Sequence, residues 1–497
     1  MNRLDFIKSK EYGKLINLKM IVRILGILLF IEAAMFLLCF GVSLIYHESD
    51  YIYFIYSALI NVVVGGLMLL IGRNAVNRLT RKDGYCIVAF TWLLFAGFGM
   101  LPFYMSGSIP GLTNAFFETM SGLTTTGASI LDNIESLSHG ILFWRSLTQW
   151  IGGLGIVFFT IAVLPIFGVG NQVLFSAEAT GVNHDKIHPK ISMMAKGLWM
   201  VYLFLTVVLF GLLLFGGMNV FDAVCHAFTT TATGGYSTKQ NSIAYWNSPF
   251  IEYVIAIFML LSSINYSVYF MVFKGKPFQW LKDVETKYFL GSVLTVTIMI
   301  SLGLYAYNGY GVEESFRKAL FQVASVHTSC GYITDDYNLW PQFTWLLIVY
   351  TMLAGGCTGS TAGGIKAMRI SIILRNIKNE FNRMVHPRAV LPVKINKMTV
   401  SESTISTVTT FVMLYLMCLL VGWFILILCG VNFMESMMIT VSSLGNVGPG
   451  LGEFGPTSSW NALPMMAKWV SSFLMLIGHL ELFGILLIMT HYFWKKR

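Results

Sequence analysis

Thr124-Thr125-Thr126-Gly127-Ala128-Ser129 decides the fold, because the chain repeats it. Approximate copies stand at Thr231-Ala232-Thr233-Gly234-Gly235-Tyr236, Thr328-Ser329-Cys330-Gly331-Tyr332-Ile333 and Gly445-Asn446-Val447-Gly448-Pro449-Gly450. Aligned on Gly127, Gly234, Gly331 and Gly448, the copies are 107, 97 and 117 residues apart. Each follows a short, mostly apolar stretch, well under the about 20 residues that a bilayer crossing takes, and suited to a re-entrant half-helix. A hydroxyl- and glycine-rich turn at its end can aim consecutive backbone carbonyls at one axis, because glycine accepts a left-handed backbone. Such carbonyls can replace the water around a dehydrated cation. Four copies in one chain predict a closed ring, an ion selectivity filter. Its expected members are Thr125, Thr126, Gly127, Ala232, Thr233, Gly234, Ser329, Cys330, Gly331, Asn446, Val447 and Gly448.

Composition places this ring in a membrane. Hydrophobic residues make up 56% of the 497 and charged residues 11%, too little charge to coat soluble domains of this size. The seven cysteines (Cys39, Cys86, Cys225, Cys330, Cys357, Cys418, Cys429) are dispersed without a C-x-x-C pair, a pattern of neither a disulfide framework nor a zinc site. The net charge of +9 comes from short basic segments between apolar runs, so no nucleic-acid partner is expected. Residues 1–20 form a basic lead-in, and the run at 21–46 is too long for a signal peptide.

Two spans, 21–46 and 51–71, make an N-terminal hairpin with no filter-like turn between them. Glu32 lies inside the first. An intramembrane carboxyl is a functional candidate, but pairing with the neighbouring helix is the expectation here. From residue 85 the order span, half-helix, turn, span runs four times. First spans fall near 85–104, 197–215, 288–307 and 400–429, second spans near 141–167, 250–273, 343–373 and 463–493. The reading counts twelve segments with the hairpin. The expected fold is an all-α polytopic membrane protein of four parallel membrane helix–pore-loop–membrane helix repeats around one pore, plus the hairpin. Its divisions are 1–82, 83–196, 197–286, 287–398 and 399–497.

Charge then orients the chain. Basic segments at the N-terminus, 73–82, 186–196, 274–287, 366–397 and the C-terminus hold 28 of the 33 Lys and Arg. An even span count puts all of them, and both termini, on one side, the cytoplasm by the positive-inside rule. The filters then open outward. Asp132, Glu135, Asp335, Asp336 and Glu453 just beyond them either concentrate cations at the mouth or form a solvated rim.

One second span is unlike the rest. In Ala354-Gly355-Gly356-Cys357-Thr358-Gly359-Ser360-Thr361-Ala362-Gly363-Gly364-Ile365-Lys366, five glycines interrupt the apolar helix, each destabilising it by about 1 kcal/mol against alanine. Bare backbone at membrane depth is tolerated only where it lines protein or a watery cavity. Half a membrane below the filter, Gly355, Gly356, Thr358, Gly359, Ser360, Thr361, Gly363 and Gly364 are a gate candidate. Gly152-Gly153-Leu154-Gly155 reads as close helix packing. His226 and His327 read as packed or hydrogen-bonded helix residues, since no second ligand stands at metal spacing. Gly450-Leu451-Gly452-Glu453-Phe454-Gly455 matches a dinucleotide fingerprint, but no strand precedes it. With no nucleophile–base pair, the chain is not read as an enzyme.

The threonine run before Gly127, Asn446-Val447-Gly448-Pro449-Gly450, Gln149-Trp150-Ile151-Gly152-Gly153 and Gly359-Ser360-Thr361-Ala362-Gly363-Gly364-Ile365-Lys366 together resemble the Trk/Ktr/HKT superfamily of potassium transporters. The hairpin and Leu480-Glu481-Leu482-Phe483 are most similar to its TrkH/TrkG branch. The resemblance covers nearly the whole chain. It implies potassium uptake across the cell inner membrane, K⁺ held by filter carbonyls as the transported ion, and no organic cofactor in this chain. It also implies a homodimer with one pore per protomer and a cytosolic, nucleotide-binding (RCK) partner of the TrkA type, facing 171–196 and 366–397. Some members carry serine at the first filter glycine, a change associated with sodium; Gly127 favours potassium. Cys330 and Val447 depart from threonine. His479 stands where relatives commonly carry a pore-facing arginine, and joins the gate candidates. The rival class is a cation-coupled (H⁺ or Na⁺) symporter with alternating access, whose folds show inverted repeats and broken helices. Here the repeats are parallel, and one span is expected to be broken.

Overall fold

The computed structural model describes residues 16–76, 79–153, 155, 191–273, 275, 280–396 and 398–495. Residues 1–15 of the lead-in, most of 171–196 and the end of the span at 141–167 lie outside these. Among the described residues, nine helices carry the hairpin and the first two groups of the pattern. The hairpin is α1 (Leu18–Ile45) and α2 (Tyr51–Ile71). It is followed by α3 (Arg81–Gly99), the short α4 (Leu112–Leu123) and α5 (His139–Gly153). Then come α6 (Ile191–Phe215), the short α7 (Val220–Thr231), and α8 (Pro249–Ser262) with α9 (Tyr266–Phe273).

The third group is α10 (Val284–Gly303), the short α11 (Val312–His327), α12 (Gln342–Ala354) and α13 (Ala367–Val385). The fourth is α14 (Glu402–Leu428), the short α15 (Phe433–Gly445), α16 (Met465–His479) and α17 (Phe483–Met489). The all-α expectation needs one addition, a two-residue antiparallel pair, β1 (Lys394–Ile395) and β2 (Met398–Thr399), in the basic linker.

Local sequence explains where the helices start. Thr80 and Asp83 form a reciprocal capping box on α3, and Asn219, Asp283 and Ser401 accept backbone N–H bonds at the starts of α7, α10 and α14. Each satisfies donors that a helix end leaves unpaired. Among the described residues, six helices are long and apolar enough to cross a membrane, seven with the bent pair α16/α17. The chain is thus a helical polytopic membrane protein.

Two span expectations change. The spans enumerated from the sequence number ten rather than twelve, and among the described residues they fall on ten helices or helix pairs; the count stays even. All three fully described second spans are interrupted, at 263–265, 355–366 and 480–482, where one break was expected. The last bends the chain by 117°.

The hairpin packs on α3 and α5 and shares one apolar core with the first and fourth groups. Glu32 is wholly buried and accepts from Asn61 Nδ2 of α2 at 3.0 Å, the interhelical pairing expected of it. Gly152 and Gly153 lie so close to Leu123 and Ala232 that a Cβ would sit 1.9 Å from one carbonyl oxygen and 2.7 Å from the other Cα. That is the close packing read from the sequence.

Candidate functional site: four turns and the loop beneath them

The four short helices end in turns of one backbone design. Each has a non-glycine residue in the left-handed region, Thr125, Thr233, Ser329 and Asn446, with φ of 51°, 52°, 54° and 54°. Two residues on, a glycine repeats the sign: Gly127, Gly235, Gly331 and Gly448, with φ of 82°, 78°, 86° and 101°. Between them, the N–H groups of Thr126, Gly234, Cys330 and Val447 each donate back into their helix, to Ser121, Thr229, Ser325 and Ser442. This corrects the sequence alignment at the second turn. Gly235, not Gly234, matches Gly127, and Ala232 is a helix cap equivalent to Thr124. Two adjacent glycines gave the sequence no way to choose; the backbone conformation does.

The turns touch in cyclic order. A Cβ on Gly127 would meet Gly234 O at 2.2 Å, one on Gly235 would meet Cys330 O at 1.9 Å, one on Gly331 Val447 O at 2.3 Å, and one on Gly448 Thr126 O at 2.5 Å. Each positive-φ glycine therefore rests on the same carbonyl of the next turn. The same four glycines line one small cavity of about 80 Å³, with Ser129, Arg145, Lys239 and Gln240 on its wall.

Polar side chains hold the ring from behind. Arg145 Nε meets Glu118 Oε1 at 2.7 Å, both nearly sealed from solvent, and Nη1 donates to Ser237 O at 2.9 Å. Its guanidinium stacks 3.6 Å from the centre of the Tyr236 ring. Glu118 also accepts from Ser129 Oγ and Ile130 N, both at 3.0 Å. Gln149 Nε2 donates to Gly234 O at 2.6 Å, while its Oε1 accepts from Tyr236 N at 3.0 Å. Asn446 Nδ2 ties the fourth turn to Thr126 Oγ1 of the first at 3.0 Å. The sequence reading assigned no role to Arg145 and Glu118, although ionisable residues in apolar segments were the signal for them.

The interrupted spans come together under the turns. Cys357 N donates to Ser263 O at 2.9 Å and Tyr266 N to Gly359 O at 3.1 Å, so two breaks satisfy each other's backbone. Within the loop, Ser360 Oγ donates to Cys357 O at 2.6 Å. Gly355 and Gly364 pack backbone to backbone, and Gly356 lies against Ala362 and Ser263. Thr361 Oγ1 accepts from Thr233 Oγ1 at 3.1 Å, and Gly363 N donates to Ser329 Oγ at 2.6 Å. A Cβ on Gly363 would sit 2.3 Å from Gly445 O. The loop thus reaches turns two, three and four. His479 reaches the first, with Nδ1 3.0 Å from Thr124 O.

Elsewhere the expected candidates divide. His226 bridges Asp222 O at 2.7 Å and Ser237 Oγ at 3.0 Å, and His327 is buried against the Phe289 ring. Of the outer acids, Asp132 accepts from Asn461 Nδ2 at 2.7 Å, Asp335 from Trp340 Nε1 at 3.0 Å, and Asp336 from Asn338 N at 2.9 Å. Those three acids bind local loops, and the cavity wall carries none of the five.

Known proteins resemble this chain over nearly its whole length. Residues 53–495 match the TrkH family, described as cation transport protein. The chain is 36% identical over 485 residues to the Trk system potassium uptake protein TrkH of Escherichia coli strain K12 and to that of Salmonella typhimurium, covering 97% of this chain and 100% of each relative. TrkG of Escherichia coli strain K12 is 32% identical over 486 residues, covering 97% of this chain and 99% of the relative. The crystal structure of the potassium transporter TrkH from Vibrio parahaemolyticus superposes with a TM-score of 0.87 at 32% identity, covering 96% of this chain and 100% of that one. The chain therefore belongs to the TrkH family of cation transport proteins, within the Trk/Ktr/HKT superfamily.

Proposed function

We propose that this chain is the K⁺-translocating subunit of a Trk-type potassium uptake system, with the ring of four turns as its selectivity filter. The observation that carries the reading is the shared cavity, which takes one positive-φ glycine from each turn. Carbonyls converging from four sides can replace the hydration shell of a cation, and the relatives' names identify potassium as the ion. The filter comprises Thr125–Gly127, Thr233–Gly235, Ser329–Gly331 and Asn446–Gly448, one turn from each of four parallel repeats around one pore. K⁺ is cargo rather than a cofactor, and transport needs no catalytic residue. The loop at 355–366, with His479, is the gate beneath.

The chain works as a pair of protomers in the cell inner membrane, with both termini and the basic segments in the cytosol. The linker at 366–397 faces a cytosolic nucleotide-binding partner of the TrkA type. A second reading, a cation-coupled symporter, gains from the three interrupted second spans, since broken helices accompany alternating access. Current through purified protein in liposomes, with K⁺ and Na⁺ on opposite sides, tests both. A reversal potential that follows the K⁺ gradient is expected. One that a proton gradient displaces would replace the pore by the symporter.

A further inference from the structure

Glu285 is the second residue of α10, and its side chain is 1% exposed. An acid in a helix's first turn ordinarily serves the helix's own N-terminus. Here that task is already filled, because Asp283 Oδ2 accepts from Thr286 N at 2.9 Å. The Glu285 carboxylate turns instead to the glycine-rich loop. It accepts from Thr358 N at 2.5 Å, from Thr358 Oγ1 at 2.9 Å and from Met368 N at 3.2 Å. Thr358 lies in the limb that descends from α12, and Met368 in the first turn of α13 on the returning limb.

We propose that Glu285 is the clamp that holds the loop shut: one carboxylate fastens both of its limbs to α10. This rests on the loop being the gate. Three donors, from both limbs of the loop, converge on this one side chain of a rigid helix. Apart from the ion pair of Lys366 with Glu481 at 3.7 Å, the other bonds from the loop to its surroundings pair neutral groups one at a time: Cys357 N to Ser263 O, Gly359 O to Tyr266 N, Thr361 to Thr233 and Gly363 N to Ser329 Oγ. Glu285 is therefore the attachment that fastens both limbs at once, and its loss favours the released loop. It is a positioning residue and touches no ion in transit.

The chain supplies its own reporter. Cys357 precedes Thr358 and is fully buried. Full-length protein in liposomes is treated with a small charged methanethiosulfonate, and the Cys357 peptide is followed by mass spectrometry beside K⁺ efflux. Glu285→Gln keeps the shape and removes the charge; Thr358→Val removes the hydroxyl donor. Glu285→Gln is expected to raise both the Cys357 labelling rate and the efflux by about tenfold, and Thr358→Val by less. The double variant should show less than the product of the two, because both break one attachment.

Labelling that stays at the parent rate in both folded single variants overturns the clamp. If Glu285→Gln fails to fold, Thr358→Val and the parent decide alone. Labelling that rises with unchanged efflux upholds the clamp and removes the gate assignment from the loop, so the two readings fail separately.

Discussion

The four turns and the spans that follow them obey opposite rules. The turns differ in sequence, Thr-Thr-Gly, Thr-Gly-Gly, Ser-Cys-Gly and Asn-Val-Gly, yet share one backbone and one cyclic contact. The interruptions below them differ in sequence, length and use. One is a loop of residues 355–366 bonded to three turns, and another is a sharp bend at 480–482 that brings His479 to the remaining turn. A carbonyl ring needs equivalence, since every side must present the same dipole at the same radius. Control needs the reverse, because one element that moves is easier to bias than four that must move together. In the function proposed above, repetition marks where the ion would be read, and the departure from repetition marks where passage would be regulated.

The hardest test of equivalence is the second turn. Gly235→Ala would place a Cβ 1.9 Å from the Cys330 carbonyl oxygen at a φ of +78°, against backbone that cannot move aside. A loss of K⁺ flux of about a hundredfold or more is expected. Gly234→Ala meets the Gln149 side chain at 2.4 Å instead, a group with rotamer freedom, so a milder defect is expected. Flux measured for both variants at equal membrane abundance ranks them; the reverse order would restore the sequence alignment and break the fourfold register.

Much of this was legible in the sequence, and the misses have physical causes. The half-helices announced themselves by length, and the glycine loop by composition. The second turn's register did not, because Gly234 and Gly235 are chemically identical and only the backbone dihedral tells them apart. The breaks at 263–265 and 480–482 carry no glycine. Ser263 sits at a helix end, and Glu481 and Leu482 hold φ of 52° and 53°, a conformation side chains of this kind rarely adopt. Tertiary contact imposes it: Arg369 Nη2 bonds Glu481, and Lys366 Nζ lies 3.7 Å from the same carboxylate. No local pattern encodes such a partner, which lies more than a hundred residues away in sequence.

Two intermediate effects sharpen the contrast between ring and loop. Removing one member of the Arg145–Glu118 pair leaves a buried, unpaired charge, at a cost of about 3–5 kcal/mol. Arg145→Met should therefore lower the unfolding midpoint in detergent, and Arg145→Met with Glu118→Gln should recover part of it. If Arg145→Met alone is neutral, the pair does not support the ring. On the loop side, Thr361→Val breaks the bond from Thr233, a neutral contact of about 0.5–1.5 kcal/mol. Basal K⁺ efflux should rise a few-fold while stability hardly changes. A fall in efflux would mean that the contact serves the ring rather than the closure.

The smallest expected effect belongs to His479, where the two regions meet. Its Nδ1 faces the Thr124 carbonyl at 3.0 Å. A carbonyl only accepts, so the neutral ring carries its proton on Nδ1, and acid adds the second proton at Nε2. The ring stands edge-on to Trp92 at 4.4 Å, and Lys366 and Glu481 are the charged groups within electrostatic reach. The charged imidazolium would place a positive charge directly below the first turn and repel K⁺. Stability of the Thr124 contact should not change sign with pH, because Nδ1 donates in both forms. Flux should: it is expected to fall a few-fold once acidification charges the ring. His479→Arg carries the charge at every pH and should be slow throughout. His479→Ala should be fast throughout, with any remaining acid inhibition coming from other groups. The measurement is K⁺ flux in liposomes clamped at each pH for the three proteins. A His479→Ala profile that overlays the parent's would remove this residue from the gate and leave the loop as its sole element.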